Sequence, residues 1–221
     1  KRVPFDEQIF FKFTPNETKL TGQFVKQLKQ KKVIAIFPRY RETRRPDKNW
    51  SKEKYEDLIK MLKMQFPTHK LAIFGAPNGA YFSEGCPEDV MDLINIDPKE
   101  RTNIQAAILE RADFAVGSLS GAMVFARFCG VPVMTWSLER DKDRFHDENR
   151  LDIPTYFISN RDPSVTQVFQ IIKDHFDNKT GLRKPFKEWS SEAYLSTGNG
   201  YAQKRLDSFR KILRLIFYAK N

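Results

Sequence analysis

The chain has 221 residues, of which 40% are apolar and 13% aromatic, enough to build a core and too much for intrinsic disorder. Its net charge of +10 raises a nucleic-acid reading, yet residues 1–32 carry eight basic and three acidic residues, residues 182–221 carry nine and three, and the stretch between is nearly neutral. No apolar run approaches the roughly 18 residues of a membrane-spanning helix, and Cys86 and Cys129 suit neither a metal cluster nor a disulfide framework.

Three regions follow from these shifts in composition. Residues 1–32 read as an N-terminal arm or interdomain linker, irregular to residue 20, with a short helix over 24–28. A start at Lys1 points to a longer parent protein. Residues 33–178 alternate short apolar runs with amphipathic stretches, the signature of a parallel sheet covered by helices. Residues 179–221 read as a basic C-terminal helical extension, with Leu206, Phe209, Leu213 and Ile216 on one stripe.

Within the middle region the first strand is Val33-Ile34-Ala35-Ile36-Phe37, too continuously apolar for a surface strand. Ser51 caps the helix that follows, with Tyr55, Leu58, Ile59 and Leu62 on its inner face. Strand two is 71–74 and ends at Gly75; strand three is 93–96. Thr102 caps the next helix, and strand four, 114–116, stops at Gly117. A small-residue turn, Gly117-Ser118-Leu119-Ser120-Gly121-Ala122, opens a helix over 122–128, with Gly130 as its C-terminal glycine. Strand five is 131–136, strand six is 155–158, and a helix runs from Ser164 to about residue 176. His69 reads as a turn residue and His175 as a helix-surface residue, whereas Trp50 reads as a packing anchor more than a stacking platform.

In an open parallel sheet, ligands bind beyond the carboxyl ends of the strands. Two of those ends attract attention. After strand one, Arg39, Arg41, Arg44, Arg45 and Lys48 place five cations within ten residues, and guanidinium forks match phosphate oxygens in pairs. After strand four, Ser118, Ser120 and Gly121 lie at a helix start, where unpaired backbone N–H groups and the helix dipole favour an anion. The structural alternatives are a solvated loop with Glu42 and Asp47 as partners and a turn that merely lets strand and helix pack closely. Gly-x-Gly-x-x-Gly and the P-loop pattern are absent, as is a Gly-x-Ser-x-Gly elbow, and the three histidines show no metal-ligand spacing.

The order of elements, together with Phe37-Pro38-Arg39, Asn49-Trp50-Ser51, the strand ending at Gly75, Leu109-x-x-Ala112-Asp113-Phe114-Ala115-Val116-Gly117, Ser120-Gly121, Ala126 and Gly130-Val131-Pro132-Val133, resembles a known family. Residues 33–176 are similar to the C-terminal, nucleotide-sugar-binding half of a GT-B glycosyltransferase, nearest to the heptosyltransferase-like group. That group's Asp-Ser-Gly, followed three residues later by His, reads Leu119-Ser120-Gly121 and Val124 here.

The resemblance implies a hexosyl- or heptosyltransferase-like enzyme working without metal or other cofactor. Its partners would be a nucleotide diphosphate sugar and a glycan or lipid-linked acceptor, and the other half would hold the acceptor and supply the base, so no catalytic residue is assigned. The expected donor site comprises Arg39, Arg41, Arg45, Ser118, Ser120 and Gly121 around the diphosphate, with Gly75 to Pro77, or Asp97 and Thr102, near the base. Glu139 would meet a ribose or sugar hydroxyl. The expected setting is cytoplasmic, with the basic ends as a peripheral membrane contact. A Rossmann-like binding module without activity and a nucleic-acid binder using those ends remain the alternatives, nucleic acid being the less favoured.

Overall fold

The computed structural model describes residues 15–147 and 153–177. The chain divides into two compact units; one, Lys1–Phe10 with Glu188–Asn221, lies outside the described residues, as do residues 1–14 of the expected N-terminal arm and the whole of the C-terminal helical extension expected over 179–221. The described part of the other unit is a six-stranded, wholly parallel sheet.

Helix α1 (Lys19–Gln27) opens on a capping box, in which Thr18 and Thr21 satisfy each other's backbone N–H groups. It is longer than the 24–28 helix read from apolar spacing because those caps start it earlier. Then come β1 (Val33–Phe37), a 3-10 turn over Pro46–Lys48, α2 (Lys52–Gln65) capped by Ser51, β2 (Lys70–Phe74), β3 (Met91–Leu93) and α3 (Pro98–Leu109). The second half contains β4 (Ala112–Ser118), α4 (Gly121–Phe128), β5 (Val133–Trp136), a 3-10 turn over Glu139–Asp141, α5 (Lys142–Asp147), β6 (Thr155–Ile158) and α6 (Val165–Phe176) capped by Ser164.

The strand order is β3-β2-β1-β4-β5-β6. Every pairing is parallel, so the chain winds outward from β1 in one direction and from β4 in the other. Helices cover both faces. Ile34 and Ile36 of β1 point into a cluster with Tyr55, Leu58 and Leu62 of α2 and with Val168 and Ile172 of α6. Val33, Ala35 and Phe37 point the other way, toward Ile104 and Ile108 of α3, Met123 and Ala126 of α4, and Phe145 of α5. A strand buried on both faces has no polar register to show, which is why β1 reads as one apolar run.

Several boundaries differ from those expected, each for a packing reason. Strand β4 does not stop at Val116: it lies between β1 and β5, and Gly117 pairs with both Phe37 and Thr135 while Ser118 pairs with Trp136. The small-residue turn shrinks to Leu119 and Ser120. Strand β3 ends where 93–96 was expected to begin, because Asp92 accepts bonds from the Ile94 and Asn95 backbone and bends the chain away. Helix α3 starts at Pro98 under an Asp97 cap, which accepts from the Lys99 backbone, so Thr102 sits inside the helix rather than capping it. His175 is buried, not a surface residue; its Nδ1 lies 2.7 Å from the Tyr156 hydroxyl. Trp50 is fully buried and donates from Nε1 to the Pro163 carbonyl at 2.9 Å, a packing anchor as read. Among the described residues, no helix is long and apolar enough to cross a membrane.

Candidate functional site

The strand order reverses between β1 and β4, so the loops after these two strands diverge and leave a crevice at the carboxyl edge. Both candidate segments lie there. Gly117 carries the close approach that makes this seam: a Cβ at that position would meet the Phe37 carbonyl oxygen at 2.6 Å and the Phe37 Cβ at 2.8 Å.

Two residues, Leu119 and Ser120, separate the end of β4 from the start of α4. Ser120 is its N-cap by backbone geometry, but its side chain makes no capping bond, and the first N–H groups of a helix have no partner within it. Gly121 is exposed, its φ is not positive, and a Cβ built on it would meet nothing within 4 Å. Below this turn Ser118 is 1% exposed, and its hydroxyl has no hydrogen-bond partner among the described residues. Its electrostatic neighbour is the buried Tyr55 phenol, which donates to the Phe37 carbonyl at 3.2 Å and whose pKa burial drives upward. Leu119 and Val124, which stand where the resembled group has Asp and His, are packed partly buried against the apolar cluster of Val33, Phe37 and Met123.

The five cations after β1 take distinct roles. Arg39 braces its own loop: Nη1 donates to Asn49 Oδ1 at 2.5 Å, and Nη2 donates to the carbonyls of Arg44 and Arg45 at 2.9 and 3.1 Å. Burial first, then the charge of Arg41, lowers its pKa from the ordinary arginine value. Arg41 lies over Gly79 and donates to the Asn78 carbonyl at 3.2 Å. Arg44 and Arg45 are exposed, and no hydrogen bond or ion pair engages their side chains among the described residues. Arg45 adopts a left-handed conformation, φ 57°, which turns the chain into the Pro46–Lys48 segment. Lys48 is only 9% exposed and pairs with Asp141 after β5 at 3.4 Å.

These roles predict a contrast measurable without ligand. Arg39→Ala is expected to cost about 1.5 kcal/mol, because charge-assisted bonds vanish and loop carbonyls lose their donor, whereas Arg45→Ala leaves stability unchanged. Thermal unfolding of the two variants checks it, and equal melting temperatures would return Arg39 to a solvated role.

The remaining candidates sit further along the edge. Gly75 has φ 154° and approaches Ala80 so closely that a Cβ would lie 2.6 Å from the Ala80 Cβ. Its carbonyl and that of Leu93 both accept from Gln105 Nε2, at 2.7 and 2.8 Å, which ties the ends of β2 and β3 together. Thr102 is exposed on α3, and Asp97 accepts from the Lys99 backbone as that helix's cap. Glu139 is exposed in the loop after β5, where the Ser159 hydroxyl, and then Lys142, hold its carboxyl below the ordinary value.

Sequence reading missed three features. Asp141 was not singled out, since nothing local marks it as the partner of a lysine in another loop. Gln105 lay inside an apolar helix pattern. Tyr40, exposed and packed at a tilt against Tyr81 with ring centroids 4.8 Å apart, gives the cationic loop an aromatic face; an exposed aromatic between two arginines was the available signal. No group of histidine, cysteine and carboxylate side chains suited to a metal ion occurs among the described residues.

No protein-family description and no curated protein matches the chain. Solved structures do. The glycosyl transferase family 9 structure from Veillonella parvula DSM 2008 is 14% identical, with a TM-score of 0.46, covering 70% of this chain and 49% of its own. E. coli heptosyltransferase WaaC with ADP is 15% identical, with a TM-score of 0.45, covering 75% and 50%. The Chlamydomonas rheinhardtii Moco carrier protein, 11% identical with a TM-score of 0.38, covers 67% of this chain and 99% of its own. The chain spans about half the length of the two transferase structures, and likenesses at these identities concern the arrangement of the chain alone.

Proposed function

We propose that this chain is the donor-binding part of a glycosyltransferase that takes its sugar from a nucleotide diphosphate sugar and passes it to a glycan or lipid-linked acceptor. The observation that carries the reading is the reversal of strand order between β1 and β4, where the start of α4, which Ser120 leaves without a side-chain cap, and a loop with two uncommitted arginines lie at one sheet edge. A diphosphate there would be held by the first N–H groups of α4 and by Arg44, Arg45 and Lys48. The same groups would stabilise the charge that develops on the leaving nucleoside diphosphate. The Gln105-tied floor at Gly75 suits the base, and Glu139 a hydroxyl of the ribose or sugar. Leu119 and Val124 carry no group that could act as acid or base, so no residue of this chain is assigned the role of general base.

Gly121→Val tests the reading directly. With no positive φ and nothing within 4 Å of the added Cβ, the variant is expected to fold normally. Its branched side chain would stand where the phosphates approach the helix start. Thermal shift with ADP, UDP and GDP, and their sugars, should raise the wild-type melting temperature by about 6 °C at 100 times Kd, and the variant by far less. A folded Gly121→Val protein that responds as the wild type does would sink the phosphate assignment, and a wild type unmoved by every nucleotide would sink the donor-site reading.

A further inference from the structure

Resting on that reading, we propose that Asp141 is an internal competitor for the donor's phosphates: its carboxylate engages the Lys48 ammonium in the empty site, and a bound diphosphate displaces it. Of the five cations after β1, Lys48 alone is buried, and a buried ammonium needs an anion. Among the described residues its carboxylate partner is Asp141, at 3.4 Å. The same oxygen, Oδ2, accepts from the Ser137 hydroxyl at 2.5 Å, so the carboxylate is oriented from its own loop toward the lysine.

Topology gives the pair its meaning. Lys48 follows β1 and Asp141 follows β5, and these strands are not neighbours: β4 lies between them. The ion pair therefore links the two loops that flank the end of β4, beside the start of α4. Arg45 and Arg161 add positive charge around Lys48, and Arg45 acts on Asp141 as well. Burial lowers the pKa of Lys48, with Asp141 opposing. For Asp141, burial works upward, but the Ser137 hydroxyl and Lys48 outweigh it and keep the carboxyl low. A charged carboxylate thus neutralises the edge where a doubly charged diphosphate would sit, and the two anions repel while both occupy it.

The proposal predicts a gain, which structural damage would not produce. Inorganic pyrophosphate and ADP are titrated calorimetrically into the full chain as wild type, Asp141→Asn, Lys48→Ala and the double variant, with Asp141→Ser as a second replacement that also lacks the charge. Asp141→Asn is expected to bind both probes about fivefold more tightly than wild type, and the gain should vanish in the Lys48→Ala background. Affinity that is unchanged or weaker in both Asp141 variants, while the wild type binds, overturns the competitor role and leaves the donor site standing. So does a gain that persists without Lys48. No binding of either probe to wild type or to any Asp141 variant removes the donor-site reading itself.

Discussion

Trp50→Ala is expected to lower stability by about 4 kcal/mol, the range for truncating a fully buried large aromatic. The indole fills the space between α2 and the end of β5, with its ring centroid 4.9 Å from that of Tyr55 and 4.8 Å from that of Trp136. Its Nε1 holds the Pro163 carbonyl at the entrance to α6, so alanine both opens a cavity and strands a carbonyl. For a chain of this size the loss corresponds to a drop of about 12 °C in melting temperature. Trp50→Phe should recover most of the packing but not the hydrogen bond. If alanine at this position melts within 2 or 3 °C of wild type, the view that Trp50 anchors the cationic loop to the sheet is wrong.

Gly117→Ala carries the second large effect, about 3 kcal/mol, because the added methyl group overpacks a site whose neighbours are backbone. The Phe37 carbonyl and Cβ would stand 2.6 and 2.8 Å away, and Met123 Sδ 3.2 Å. Met123 can shift; the β1 backbone cannot move without disturbing the ladder in which Phe37 pairs with Gly117. Urea unfolding should show a lower midpoint with an unchanged slope. A midpoint equal to wild type would mean that the seam is looser than these distances require. The contrast with Gly121, four residues on, is diagnostic: both are glycines near one crevice, yet one is there for packing and the other faces open space.

How much of this was legible beforehand depended on what kind of signal each element leaves. Strand β1, buried on both faces, announced itself as an unbroken apolar run, and α2 announced itself by its serine cap and inner face. Parallel order and helices on both sides followed from the alternation. Gly117 and Ser118 were misread as a turn because small residues look alike in a turn and in a central strand that two neighbours press closely; only the pairing with Phe37, Thr135 and Trp136 tells them apart. His175 was misplaced because its partner, Tyr156, is on a strand 19 residues away.

At the site, density of charge was visible but division of labour was not. Sequence offered Arg39 as a phosphate ligand on equal terms with its neighbours, whereas its bonds to Asn49 and to two carbonyls make it the member that shapes the loop. Lys48 looked like one more solvated cation, and no local pattern reveals that a carboxylate beyond β5 covers it.

The register between β1 and β4 also governs the order in which the molecule can assemble. β1 and β2 pair across one helical crossover, as do β4 and β5, so each half gathers through comparatively near contacts. Val33 meets Ala112 only after the β2–β3 limb and α3 have been laid down between them. Joining the halves closes the longest loop in the sheet, and such closures are the slow steps of parallel topologies. The crevice does not exist until that step is complete, because its two walls belong to different halves. A ligand seated there would meet only the fully joined chain, and it is expected to slow unfolding because its two walls part when the β1–β4 seam opens.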